Sequence, residues 1–190
     1  MNYIEQIKKY NPDNDQEIKD RNFILKCIQN NDNVLFRDNN IAHMTSSSWI
    51  VNKDRTKILL VHHNIYNSWS WTGGHADGCS DLLEVAIREA KEETGLNCII
   101  PIMNNIFSLE VLCVNGHIKN KEYVSSHLHL NLTYLLEADD TEELIIKEDE
   151  NSDVKWFTLS DGLDSINEEW MIENIYKKIN KKLQKGVHNE

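Results

Sequence analysis

GGHADGCSDLLEVAIREAKEETGL, residues 73–96, joins a glycine-rich turn to a run dense in carboxylates. Leu83, Ala86, Ile87 and Ala90 recur at i, i+3, i+4 and i+7, which makes them the expected buried stripe of an amphipathic helix. At about 100° per residue, Glu89, Glu92 and Glu93 gather on a separate face. Like charges at that spacing repel and weaken a helix. Asp81, followed three residues later by Glu84, reads as an N-cap with its capping-box partner. Gly95 stands where a left-handed C-terminal cap is wanted. The spacing therefore predicts a helix over 82–94 whose carboxylates converge beside the turn that precedes it.

Working outward, KILLVHH carries an unbroken apolar run and reads as a central strand covered on both faces. Upstream of it, 43–51 has the Thr/Ser/Trp/Ile/Val content of a strand, with NKDRT as the turn between them. Downstream, CIIPI, IFSLEVLCV and VKWFTL read as further strands. HLHLNLTYLL, residues 127–136, alternates strictly. Leu128, Leu130, Leu132, Tyr134 and Leu136 share one face, and His127, His129, Asn131 and Thr133 the other. A closing amphipathic helix is expected over about 167–185, with Ile172, Ile175, Ile179 and Leu183 on one side and lysines opposite.

Residues 2–10 and 14–30 read as two helices split by Asn11-Pro12-Asp13. They form an N-terminal extension, 1–42, that caps either the domain or a partner chain, so a homodimer is one expected arrangement. The remainder, 43–190, is read as a single α/β (α+β) layered domain, many strands of mixed character around one sharply charged helix.

The charge balance, 20 basic against 31 acidic residues for a net −11, argues against non-specific nucleic-acid binding and against anionic lipid. The start lacks the apolar segment of a signal peptide, and no run is long enough to span a membrane. Cys27, Cys79, Cys98 and Cys113 are scattered without a CxxC pair, as expected of reduced thiols in a cytoplasmic protein without structural zinc. The expected partner is a small molecule, with a metal ion offsetting local charge.

The opening stretch resembles the Nudix box, G-x5-E-x7-R-E-U-x-E-E-x-G-U, with U a bulky aliphatic residue. Gly74, Arg88, Glu89, Glu92, Glu93, Gly95 and Leu96 fall in register. Ala90 is smaller than the usual aliphatic residue, and Ser80 stands where the family has its first Glu. Trp69-Ser-Trp-Thr-Gly-Gly is similar to the family's W-x-x-P-G-G entry, with Thr72 for Pro, and GGHADG with a later HLH strand resembles one bacterial branch of the family. The resemblance spans about 43–185 and implies an α/β/α sandwich around a mixed sheet.

It also implies a pyrophosphohydrolase that cleaves a nucleoside diphosphate linked to another group, by attack of water at phosphorus. The implied cofactor is Mg²⁺ or Mn²⁺, held by Glu89, Glu92, Glu93 and the Gly74 carbonyl, with Arg88 as orienting cation. Hard cations take such oxygen clusters together with substrate phosphates. Glu89 is the first candidate general base; a carboxylate from a late loop often serves, and Glu150 is the best candidate for it, with Glu148 behind. Asp77 or Asp81 is expected to substitute for the missing first Glu.

Two alternatives stand beside the hydrolase: a degenerate Nudix domain that binds a nucleotide or partner without turnover, and an isopentenyl-diphosphate-isomerase-like enzyme. The isomerase wants a Cys just after Trp-Thr, where this chain has Gly73 and Gly74. Substrate tags are missing: the ADP-ribose type's Pro falls at Val111, and the dinucleoside-polyphosphate type's Tyr falls within VLCVNG. His62, His63, His75, His127 and His129 are read first as ordinary surface or core histidines, with substrate contacts or a transition-metal site as alternatives. Trp69 and Trp71 are read as core or rim aromatics, or as a platform for a base.

Overall fold

Asn2 and Asn14 each turn a side-chain oxygen back onto a helix N-terminus, Asn2 to the amide of Ile4 and Asn14 to that of Glu17, both at 2.9 Å. They begin α1 (Tyr3–Lys9) and α2 (Asp15–Asn30), and satisfy amides that have no partner within the helix. The computed structural model describes residues 2–119 and 121–187; positions 1, 120 and 188–190 of the two expected segments lie outside them. Among the described residues ten strands follow: β1 (Ala42–Asn52), β2 (Lys57–His63), β3 (Ser68–Ser70), β4 (Thr72–His75), β5 (Ile99–Pro101), β6 (Ser108–Val114), β7 (His117–Lys119), β8 (Glu122–Val124), β9 (His127–Ala138) and β10 (Asn151–Thr158). The remaining helices are α3 (Leu82–Thr94), α4 (Leu159–Asp164), α5 (Glu169–Met171) and α6 (Lys177–Val187). The fold is α+β, with a large mixed sheet flanked by helices. Its path runs β10-β2-β1-β9-β5, with β3 on β2, β4 on β1 and β6 on β9. The short hairpin β7–β8 stands as a separate two-stranded sheet.

Two compact units divide the chain. The first gathers residues 1–47, 73–86 and 104–134. Its apolar centre includes Ile7, Ile24, Met44, Leu82, Leu109, Leu130 and Leu132. β6 and β9 pair antiparallel from Ser108↔Thr133 to Val114↔His127. α2 is bound to β6 by Asp20, which accepts the Val111 amide at 3.1 Å, and the buried Glu17 carboxylate lies 3.2 Å from the Ser108 hydroxyl.

The polar face of β9 is as buried as its apolar face, and that burial is tolerated because the polar groups satisfy one another. Glu110, fully buried, accepts from the Thr133 hydroxyl at 3.0 Å, from Asn131 Nδ2 at 3.2 Å and from Ser108. The Asn131 oxygen in turn accepts from Thr45 and Ser47 of β1, at 3.0 and 2.9 Å.

The second unit gathers 48–72, 87–103 and 135–190. Here β2 is central as expected, with Ile58, Leu59, Leu60 and Val61 all buried and β10 paired along it from Asn151 to Thr158. Asn52 closes the preceding turn by accepting the amides of Thr56 and Lys57, both at 2.9 Å. The closing helix buries Ile175, Ile179 and Leu183, and leaves Ile172 half-buried. It is not continuous α-helix: one π turn over Ile172–Tyr176 joins α5 to α6. The wider turn rotates Tyr176 inward, where its ring stacks on Trp49 at 5.3 Å and meets Trp71 edge-on at 5.2 Å.

α3 begins and ends where the capping residues direct. Asp81 accepts the Glu84 amide at 3.1 Å, and Gly95 follows the helix at φ 74°. A side chain at Gly95 is excluded twice, because a Cβ there would also sit 2.5 Å from that of Ile145. The buried stripe differs from the expected one. Leu82, Val85, Ala86 and Ala90 are buried, whereas Leu83 and Ile87 are only half-buried. Both registers satisfy helical spacing, and the seam settles one position towards the N-terminus. That rotation takes Glu93 into the interior with it.

Candidate active site

The carboxylates of α3 do not share one environment. Glu93 is 4% exposed, Glu89 is half-buried and Glu92 faces solvent. They span about 100° of the helix surface, from its buried edge outward. Each has a partner from the second unit that lowers the repulsion expected from their spacing. Asn151 donates from Nδ2 to Glu93 Oε2 at 3.2 Å. Arg88 lies 3.0 Å from Glu89 and 3.9 Å from Glu92. Lys147 lies 3.7 Å from Glu92 and 2.9 Å from Glu150.

The late acidic loop is thereby brought to the helix. Glu150 reaches Glu92 through one shared ammonium, and its position is set by the loop's own anchors. Ile145 donates its amide to the Thr94 carbonyl at 2.8 Å, and Glu142 accepts from the amide and side chain of Asn97 at 2.8 and 3.0 Å. A turn from Lys147 to Glu150 and a bond from the Asn64 amide to the Glu150 carbonyl, both 3.0 Å, complete the tether. Burial pulls the Lys147 ammonium down, but its bond to Glu150 and the fields of Glu150, Glu92 and Glu89 outweigh that and hold it above the ordinary lysine range. Glu148 contributes its carbonyl, not its carboxylate, to this loop, accepting from Asn64 at 3.4 Å.

Beside Glu93, the Asn151 Oδ1 is buried without a hydrogen-bond partner among the described residues. Three carboxylates on one helix, a fourth from the loop and an unpaired amide oxygen offer oxygen donors, of the type that hard divalent cations take, although among the described residues only three histidines gather their ligand atoms within 4.8 Å. Neither Asn151 nor Lys147 was expected from the sequence. The only sequence signal for either is its closeness to Glu150.

In the first unit, Gly74 lies in β4, and its neighbour Gly73 has no room for a side chain, because a Cβ would lie 2.6 Å from the Ser46 carbonyl. Ser80 is exposed. The two carboxylates expected to replace its missing Glu are already engaged. Asp77 accepts from both Nε and Nη2 of Arg37, the first at 2.7 Å, and Asp81 caps α3. Trp69 and Trp71 pack as aromatics of the second unit, Trp69 edge-on to Phe157 at 4.8 Å and to His62 at 5.4 Å. His62 sits 2.8 Å from the Ser152 hydroxyl, and His63 accepts the Ile65 amide at 3.1 Å.

The other histidines do come together. His43, His75 and His129 each present one ring nitrogen, and these atoms lie within 4.8 Å of one another. His43 carries no sequence signal of this role, because it opens a strand with no histidine-rich neighbour. No disulfide joins the cysteines, all four of which are free.

Comparison with known proteins bears on the whole arrangement. A family model described as NUDIX domain matches residues 42–179. No curated protein matches the chain in sequence. Among solved structures, the fold is similar to a C. elegans Ap4A hydrolase binary complex (15% identity, 77% of this chain and 98% of that one, TM-score 0.52). It is similar also to the E. coli dihydroneopterin triphosphate pyrophosphohydrolase (13% identity, 77% and 96%, TM-score 0.53) and to the MutT protein from Methanosarcina mazei Go1 (14% identity, 76% and 96%, TM-score 0.51). At these identities the likeness is one of fold. No helix among the described residues is long and apolar enough to cross a membrane.

Proposed function

The chain belongs to the Nudix family, and from that premise we propose that its hydrolase domain cleaves the pyrophosphate linkage of a nucleoside diphosphate joined to another group. The observation that carries this reading is the meeting of Glu92 and Glu150 about Lys147, beside the Asn151-tethered Glu93. The donor set fits Mg²⁺ or Mn²⁺, which Glu89, Glu92 and Glu93 would hold. Such an ion, when bound, neutralises phosphate charge and lowers the pKa of bound water.

The chain's own groups supply the remaining work. Asn151 fixes the Glu93 carboxylate in an interior position from which it cannot swing into solvent. Arg88 holds Glu89 and Glu92 in one orientation, a positioning role that requires its two-sided guanidinium. Glu89 is the first base for the attacking water, and Glu150, whose carboxylate Lys147 holds ready, is the second. Residues 1–42 are an extension to this domain, and the ligand is a small nucleotide derivative.

A second reading has one observation behind it. Ser80 replaces a family carboxylate, and Asp77 and Asp81 are both committed elsewhere. A Nudix domain that binds nucleotides without turnover would tolerate that loss.

The two readings separate in ¹⁸O-labelled water. The protein with Mg²⁺ is offered ADP-ribose, dinucleotides, nucleoside triphosphates and sugar nucleotides, and the products are read by mass spectrometry. A nucleotide product carrying ¹⁸O on phosphorus supports the hydrolase. Binding of these nucleotides without any cleavage favours the non-catalytic reading.

A further inference from the structure

We propose that His43, His75 and His129 form a binding site for a divalent cation of the zinc class, a site with a different chemistry from the carboxylate cluster. The three side chains come from the start of β1, the end of β4 and the start of β9, all within the first unit. Their ring centroids are 5.0–5.1 Å apart pairwise, at 40°, 51° and 85°, so the rings do not stack, and one nitrogen of each lies within 4.8 Å of the others.

The tautomers follow from the partners. His43 Nδ1 lies 2.9 Å from the Asn39 carbonyl, and a carbonyl only accepts, so Nδ1 carries the hydrogen. The Nε2 of His43 is then a bare lone pair. It is buried, in a residue 3% exposed, and has no hydrogen-bond partner among the described residues. A buried acceptor left unpaired is uncommon and needs an explanation, and a cation supplies one.

The same reasoning passes through His127. Its Nδ1 lies 2.8 Å from the Ser125 carbonyl and must donate, so its Nε2 accepts across the 3.2 Å contact with His129 Nε2. His129 Nε2 therefore holds a hydrogen, and its Nδ1 is left as the lone pair for a metal. Metal-bound imidazoles are oriented in this way, through the other ring nitrogen, by a carbonyl or a hydrogen-bonded partner. His127 is a positioning residue in this arrangement, and His43, His75 and His129 are the ligands.

Neutral imidazole nitrogens suit Zn²⁺, Co²⁺ or Ni²⁺ and not Mg²⁺, which demands oxygen. Three ligands leave a tetrahedral ion one position for water or an anionic oxygen.

The test uses the full chain free of any polyhistidine tag, stripped with chelator and titrated with Co²⁺. With excess Mg²⁺ present to fill the carboxylate cluster, one equivalent should bind with the visible absorption of four- or five-coordinate Co²⁺ and be displaced by stoichiometric Zn²⁺. His75→Gln and His129→Gln should each weaken binding at least tenfold, and His127→Gln by less. Glu92→Gln should leave it unchanged, which keeps the result independent of the hydrolase reading. Circular dichroism confirms that each variant is folded. Octahedral Co²⁺ absorption, wild-type affinity in the folded His75 and His129 variants, or loss of binding in Glu92→Gln would each overturn the proposal.

Discussion

Asn151 donates to Glu93 at 3.2 Å, joining the first residue of β10 to the buried edge of the helix that carries the carboxylates. The bond makes Asn151 a positioning residue, since its amide fixes a carboxylate that would bind metal. Asn151→Ala should lower kcat roughly 10- to 100-fold, the usual loss when an orienting partner of a ligand is removed. KM for the nucleotide should change little, because Asn151 is not expected to touch it. Steady-state kinetics at saturating Mg²⁺ measure this, and an unchanged kcat in a folded variant would remove Asn151 from the account.

Lys147 sits between Glu92 and Glu150, where a divalent cation would compete with its ammonium. Both carboxylates are about half-exposed, so the ion pairs are screened and each contributes little. Lys147→Ala should accordingly lower the Mg²⁺ concentration for half-maximal activity, by roughly 1.5- to 5-fold. A higher Mg²⁺ requirement would mean that the lysine assembles the site.

Ser80 is the one position of the box that lacks its carboxylate, and neither Asp77 nor Asp81 is free to replace it. Ser80→Glu should therefore strengthen Mg²⁺ dependence or raise kcat, by about fivefold if the added charge contributes about 1 kcal/mol. Calorimetric Mg²⁺ titration and initial rates test it together. No change in either would show that the domain works without that carboxylate.

The histidine cluster predicts acid sensitivity in the metal-free protein. His129 titrates near 2 when folded against an ordinary value of 6.5, chiefly through burial, and His43 is also held low, burial again being the largest cause. Between those values the unfolded chain binds the extra proton, so stability is present above pH 6.5 and is lost as pH falls. The unfolding free energy from urea melts with chelator present should fall from pH 7.5 to 5.5, by up to about 1.4 kcal/mol per pH unit from His129. His129→Gln should flatten that slope; equal slopes would contradict the burial of a neutral ring.

The sequence made the helix legible because its signals are local: a cap at Asp81, a left-handed glycine at Gly95 and a 3.6-residue period between them. The same period left the stripe's rotation open, since Leu82-Val85 and Leu83-Ile87 both satisfy it. The burial of Glu93 depends on that rotation and was not readable from spacing. Alternation in 127–136 showed the two faces of β9 but not that both are buried. Burial there depends on Glu110, Thr45 and Ser47, which are distant in sequence. For the same reason Lys147 and Asn151 read as part of a solvated acidic loop. His43 went unnoticed because its neighbours in the cluster lie about 30 and 90 residues away.

The central claim, that carboxylates of α3 drive hydrolysis, is tested most directly by Glu93→Gln. The substitution keeps the shape of a buried side chain and removes its charge. With Mg²⁺ and a substrate the wild-type chain cleaves, release of nucleoside monophosphate should be at least about 100-fold slower in the folded variant, in the range seen when one charge-stabilising group is lost. Release at the wild-type rate would contradict it.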